Sequence, residues 1–283
     1  MQRVRTGVIV RFAALCLMGF VVAVPFVWMV GSSFKPRSES EQPHIVPQDP
    51  TVRNYPIVLD AAPDPVTGES LHMQFGRWYF NSIFTAIGIT LLQTLTSAMA
   101  AYAFSRIEWR GRDAVFLLYL GTMMIPGLVT MIPNYQIMIS LGFLNTYRGL
   151  IIPAAFSAFG TFMLRQFMLS LPPSLDEAAK MDGASHWQVF WHVIMPLAQP
   201  GLVALAILTF LGAYRSFFWP LIMLTDVQYY PLQVGMLALD TTYGRQTELI
   251  MAATVMNIVP LVIVFIVFQK FLVKGIQLGG VKG

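Results

Sequence analysis

The chain has a single cysteine, Cys16, so no intrachain disulfide can form and thiol-based metal or redox chemistry is excluded. Charge is also scarce. Asp, Glu, Lys and Arg make up 11% of the 283 residues against 56% hydrophobic, which is outside the habit of a soluble domain. The four histidines, His44, His72, His186 and His192, all fall outside the long apolar runs. No Asp or Glu sits centrally in those runs either, so the groups that proton relays or intramembrane metal sites need are missing. A Gly-x-x-x-x-Gly-Lys-Ser/Thr phosphate loop is absent, since none of Lys35, Lys180, Lys270, Lys274 or Lys282 follows a glycine. The chain therefore lacks the usual route to nucleotide hydrolysis, and no nucleophile–base or metal-ligand constellation marks it as an enzyme.

What is present is apolar length. Six runs approach the roughly 20 residues that cross a hydrocarbon core, at 8–30, 79–104, 114–140, 150–169, 201–224 and 249–268. The expected fold class is an all-α membrane protein with six transmembrane helices. With the N-terminus inside, the inner flanks collect most of the Lys and Arg, among them Arg3, Arg5, Arg106, Arg110, Arg112, Lys180, Lys270 and Lys282. The positive-inside bias then places both termini in the cytoplasm. Basic clusters such as Arg106-Ile-Glu-Trp-Arg-Gly-Arg carry topology and need no nucleic acid. The first run exceeds a signal-peptide core and has no clear small-x-small cleavage site, so 1–30 reads as a retained anchor. Residues 31–78 form an extracytoplasmic loop in which Pro36, Pro43, Pro47, Pro50, Pro56, Pro63 and Pro65 rule out a long helix; its length points to a docking surface. Residues 79–283 form the core, with a polar loop at 171–200 and a glycine-rich, flexible tail at 274–283.

That polar loop is the patterned part of the chain. Ser174 and Glu177 fit one capping box and Ser185 and Gln188 fit a second. Gly183 between them offers a left-handed helix stop, and Pro196 and Pro200 close the unit. Trp187, Phe190, Trp191 and Ile194 recur at i, i+3, i+4 and i+7, a single apolar stripe expected to pack on the bundle.

Glu177-Ala178-Ala179, then Gly183 four residues on, then Val193-Ile194-Met195-Pro196, resembles the EAA motif of the permease subunits of bacterial ABC importers. Asn81-Ser82, Met124-Ile125-Pro126, Leu144-Asn145-Thr146-Tyr147, Trp219-Pro220-Leu221-Ile222 and the terminal Gly280-Val281-Lys282-Gly283 are similar to the maltose-type carbohydrate branch. The resemblance implies a type I importer permease fold in the bacterial cytoplasmic membrane. It further implies a second related permease subunit, two ATPase subunits carrying ATP and Mg, and an extracytoplasmic solute-binding protein, with no cofactor on this chain. By the same resemblance Asp176, Glu177, Ala178, Ala179, Asp182, Gly183 and Ala184 contact the ATPase, Trp187, Phe190, Trp191 and Pro196 pack the coupling helices, and Lys282 in the tail reaches the ATPases. A sugar or disaccharide is the expected solute.

Polar groups inside the runs are candidates for the pathway: Gln93, Asn134, Tyr214, Arg215 and Asn257. Arg215 departs from the family's usual Trp-Asn-Asp-Phe at this point, and a charge within a span should face a cavity or find a partner. The alternative to an ATP-driven importer is an ion-coupled secondary transporter of a small polar solute. Such carriers often show inverted repeats, and none is evident here.

Overall fold

The computed structural model describes residues 2–64, 68–70, 72–242 and 246–280, with side chains over 7–64, 68–70, 72–237 and 246–269. Within these residues the protein is helical and contains no strand. Helices α1 (Gln2–Ser33), α2 (Asn54–Val58), α3 (Phe75–Arg106), α4 (Arg112–Gly121), α5 (Gly127–Ser140), α6 (Tyr147–Ile151) and α7 (Ala158–Leu169) form the first half. They are followed by α8 (Ser174–Met181), α9 (His186–Val189), α10 (Met195–Leu197), α11 (Gln199–Tyr214), α12 (Phe218–Met223), α13 (Leu232–Thr242) and α14 (Thr247–Gly280).

Three stretches, Gly7–Ser33, Phe75–Arg106 and Thr247–Gln269, are straight helices long and apolar enough to cross a membrane. Three further candidates are bent helix pairs, each a broken span or a re-entrant loop: Arg112–Met124 with Gly127–Ser140 at 99°, Tyr147–Ala155 with Ala158–Leu169 at 44°, and His186–Leu197 with Gln199–Tyr214 at 77°. The total reaches six only if each bent pair is one span, and the third pair includes His186–Leu197 of the polar loop, so it does not coincide with the expected fifth run. Each bend has a local cause. Pro126 is extended before α5, and Ser157 caps α7 by accepting from the Gly160 N–H at 3.0 Å. Pro200 opens α11 after the break at Ala198.

The expected fifth span, 201–224, requires correction. Helix α11 stops at Tyr214 and α12 starts afresh at Phe218, because the Pro220 ring would collide with the carbonyl of residue 216 in a continuous helix. Arg215 is therefore the C-terminal cap of α11 and exposed, not a charge within a helix. Pro133 and Pro260, by contrast, lie inside helices that continue past them. Helix α14 also runs on to Gly280, so most of the tail expected to be flexible is helical; its paired glycines come only at the end.

The chain divides into two compact units, Met1–Gly76 with Gly235–Val259, and Arg77–Val234 with Pro260–Gly283. In the first, the proline-rich loop is tied down by its own polar groups. The Asn54 amide donates to the carbonyls of Ser33 and Lys35, both at 2.8 Å, and the Glu39 carboxylate accepts from the N–H groups of Gln48 at 2.9 Å and Asp49 at 3.1 Å. Lys35 is fully buried and donates to the Gln42 carbonyl at 2.6 Å. A slack linker would leave these groups in water.

In the second unit, Ala98, Ala101 and Tyr102 of α3, Leu164 and Met168 of α7, and Leu205 of α11 share one core. Small residues permit the approach: a Cβ on Gly160 would stand 2.6 Å from the Ser97 hydroxyl and 3.2 Å from Leu205.

Candidate functional site

Helix α8 begins on prolines. The Asp176 and Glu177 N–H groups donate to the Pro173 carbonyl at 3.0 and 3.2 Å, and Pro173 occupies the cap position. The capping box expected from Ser174 does not form, because the Pro172-Pro173 pair starts the helix one residue earlier, with φ already set. Asp176 and Glu177 still fall in the first turn, where a negative charge suits the helix dipole.

The end of α8 follows the sequence closely. Gly183 has φ +83°. Its N–H donates to the Lys180 carbonyl, and the Ala184 N–H reaches back to the Ala179 carbonyl, both at 3.0 Å. This is a Schellman stop, in which a left-handed residue lets two orphan carbonyls be satisfied. The second capping box is present: the Gln188 N–H donates to the Ser185 hydroxyl at 3.3 Å and the Ser185 N–H to the Gln188 side-chain oxygen at 2.8 Å.

After Val189 the helix widens into a π-turn, Phe190–Ile194, and then re-tightens into α10, where Pro196 sits. The widening splits the expected stripe. Phe190 (1% exposed) and Ile194 are buried, joining Val189 and Ala198 in the core formed by α3, α7 and α11, with the Phe190 and Tyr102 rings 5.2 Å apart. Trp187 (57% exposed) and Trp191 stay outside; Trp187 stacks on Phe190, and Trp191 meets both rings edge-to-face. The outer edge of the knob is formed by Glu177, Ala178, Met181, Asp182 and Gly183. Ala179 and Ala184 are half-buried against the core.

Asp176 departs from its expected role, since it turns inward. Its carboxylate pairs with Arg106, the last residue of α3, at 3.2 Å, with both side chains nearly buried. Nothing in the sequence links positions 106 and 176, and Arg106 reads there only as a topological charge.

A cavity of about 770 Å³ opens in the same unit. Gln93 and Asn134 line it, as do Thr209, Phe159, Phe218 and Trp219, and among the described residues no charged side chain does. The Gln93 amide donates to the Thr209 hydroxyl at 3.1 Å. Other pathway candidates lie elsewhere. Tyr214 is buried beside Phe210 and is not a lining residue, and Arg215 is at the exposed cap. Asn257, nearly buried in the other unit, points its amide at the Met236 sulfur, 3.7 Å away. Lys282 lies outside the described residues.

Several of the shared motifs turn out to be structural. Asn81 donates to the carbonyls of Gln228 and Tyr230, both at 2.9 Å, and accepts from the Tyr147 hydroxyl at 2.7 Å. Asn145, at φ +54°, accepts from the N–H groups of Thr225 and Asp226. The Trp219 indole donates to the Gly149 carbonyl at 3.0 Å. These residues fix the loops at 145–149 and 225–230.

Comparison with known proteins agrees with this architecture. The arabinooligosaccharides transport system permease protein AraQ of Halalkalibacterium halodurans is 35% identical, over 93% of this chain and 92% of that protein. The trehalose/maltose transport system permease protein MalG of Thermococcus litoralis is 34% identical over 94% of each. A chain of a bacterial ABC transporter involved in the import of the acidic polysaccharide alginate superposes with a TM-score of 0.81 at 28% identity, covering 94% of this chain and 96% of that one. Residues 93–278 match the model of the binding-protein-dependent transport system inner membrane component, and the chain belongs to that family.

Proposed function

We propose that this chain is the transmembrane permease subunit of an ATP-driven, binding-protein-dependent importer, and that it passes an uncharged carbohydrate. The observation that carries this reading is the knob at 174–196. It is stopped at Gly183 by a Schellman turn, capped at Ser185 and rooted in the core by Val189, Phe190 and Ile194. Its outer edge is left free for a partner. Such a unit moves as a body, as a lever must.

The distribution of Lys and Arg supports a cytoplasmic position for the knob and both termini. ATP and Mg then belong to two partner ATPase subunits, one of them seated on this knob, and this chain binds no cofactor itself. A second permease subunit completes the pathway. A solute-binding protein delivers the solute on the outer face, where the ordered loop at 31–64 offers a docking surface.

The nature of the solute is supported by the cavity wall. Amide and hydroxyl groups of Gln93, Asn134 and Thr209 stand among aromatic faces, with no cation among the described lining residues to attract an anion. Such groups suit sugar hydroxyls. The named relatives AraQ and MalG serve oligosaccharides or disaccharides.

Glu177 is exposed on the outer edge, so Glu177→Lys leaves the fold intact and reverses a charge at the proposed ATPase contact. Retention of the ATPase on affinity-purified permease should fall on the order of tenfold, as for a like-charge or mismatched rim contact. Unchanged retention would remove Glu177 from the interface.

A further inference from the structure

We infer that Arg106 is the positioning residue that fastens the knob to the membrane helices, so that displacement of residues 174–196 is delivered to α3 and α7 together; this rests on the coupling role proposed above. One guanidinium joins three elements. It ends α3, donates through Nη1 to the Asp176 carboxylate in the first turn of α8 at 3.2 Å, and donates through Nη2 to the carbonyl of Met168 and, at 2.9 Å, to that of Leu171. Met168 is in the last turn of α7 and Leu171 just beyond it. Last-turn carbonyls have no partner within their own helix and carry the negative end of its dipole, so they favour a cation. Asp176 stands at the positive end of α8. Charge therefore alternates from α7 through Arg106 and Asp176 into α8.

The pair is out of water, with side-chain exposures of 6% for Arg106 and 11% for Asp176. The two residues whose carbonyls Arg106 bonds, Met168 and Leu171, belong to the apolar core. Such burial is poor value for stability, because desolvation offsets most of the attraction. Here it is also incomplete, since Arg106 Nε and Asp176 Oδ1 have no hydrogen-bond partner among the described residues. An apolar pair would hold a core as well or better. What the ion pair adds is direction: the planar fork fixes a carboxylate and two carbonyls at set angles, which a lysine ammonium does not. A second arginine nearby shows the contrast. Arg165 donates to the Phe104 carbonyl at 3.1 Å and approaches Asp113 at 3.5 Å, but Asp113 is largely exposed, so that link is solvated and soft.

The test uses the assembled transporter with its ATPase subunits, in a Cys16→Ser background, with spin labels at Met99 on α3 and Lys180 on the knob, both exposed. Distances are recorded without nucleotide and with ATP plus vanadate. A single narrow distance, equal in both states, is expected. Asp176→Asn should broaden or shift it by about one helical pitch, roughly 5 Å, while the ATPase stays bound and hydrolyses ATP. A distance that changes between states in the parent complex would overturn the proposal, and that measurement stands even if the variant fails to accumulate. An equally narrow distance in Asp176→Asn would overturn it too, as would loss of the ATPase from that variant, which would make Asp176 a docking group. Failure of the coupling reading itself shows separately, as ATPase retention indifferent to Glu177→Lys.

Discussion

Replacing Gly183 by valine is expected to lower solute uptake about tenfold or more at unchanged membrane abundance. Nothing in this chain lies within 4 Å of a Cβ built at this position, so crowding within the chain plays no part. The effect within the chain comes from φ +83°, a conformation that costs an L-residue roughly 1–2 kcal/mol and a β-branched one more. The strained chain relaxes by breaking the Gly183–Lys180 and Ala184–Ala179 hydrogen bonds, which sets α8 loose from α9. Asparagine tolerates left-handed backbone and should retain most uptake, with alanine between it and valine. The series, with abundance checked by immunoblotting, separates a conformational cause from a steric one. Normal uptake by the valine variant would show that the corner does not transmit force.

Phe190→Ala should destabilise the purified complex by about 3–5 kcal/mol, the usual cost of removing a buried aromatic ring. Phe190 is the deepest ring of the knob, in contact with Tyr102 of α3 and closed over by Trp187 and Trp191. Without it the π-turn loses its anchor and the two tryptophans their support. Trp187→Ala is the control. Trp187 is mostly exposed, and its loss should cost about 1 kcal/mol, the value of an aromatic pair. Thermal unfolding of the detergent-purified complex reads both. Equal losses would mean that the stripe packs as one face, as its spacing alone implies.

That spacing shows where the sequence was legible and where it was not. Local signals carried over well. Gly183 turns left-handed and Ser185 with Gln188 closes a capping box, because each depends on only a few neighbouring residues. Five of the six apolar runs match the helices, three as single long helices and two as bent pairs, whereas 201–224 breaks after Tyr214. Where two local signals competed, the stiffer one won: Pro172-Pro173 pre-empted the Ser174 cap, and Pro220 ended the continuity assumed through Arg215. The π-turn at Phe190–Ile194 leaves no mark in the sequence pattern, since a period of 3.6 carries the stripe straight through it. Long-range partners were the least accessible. The pairing of Arg106 with Asp176 and of Gln93 with Thr209 joins residues far apart in sequence, with no signal at either end. Pathway residues suffered for the same reason. Polarity inside a run picked out Gln93 and Asn134, which do line the cavity, but could not separate them from Tyr214 and Asn257, whose groups pack between helices.

The central claim is that an ATP-hydrolysing partner grips the outer edge of the knob. A photo-cross-linking residue at Met181, 88% exposed on that edge, tests it in intact membranes without knowledge of the solute. The account predicts a product joining this chain to the ATPase subunit, formed on the cytoplasmic side. A product with the solute-binding protein, or labelling of Met181 from outside the cell, would contradict it.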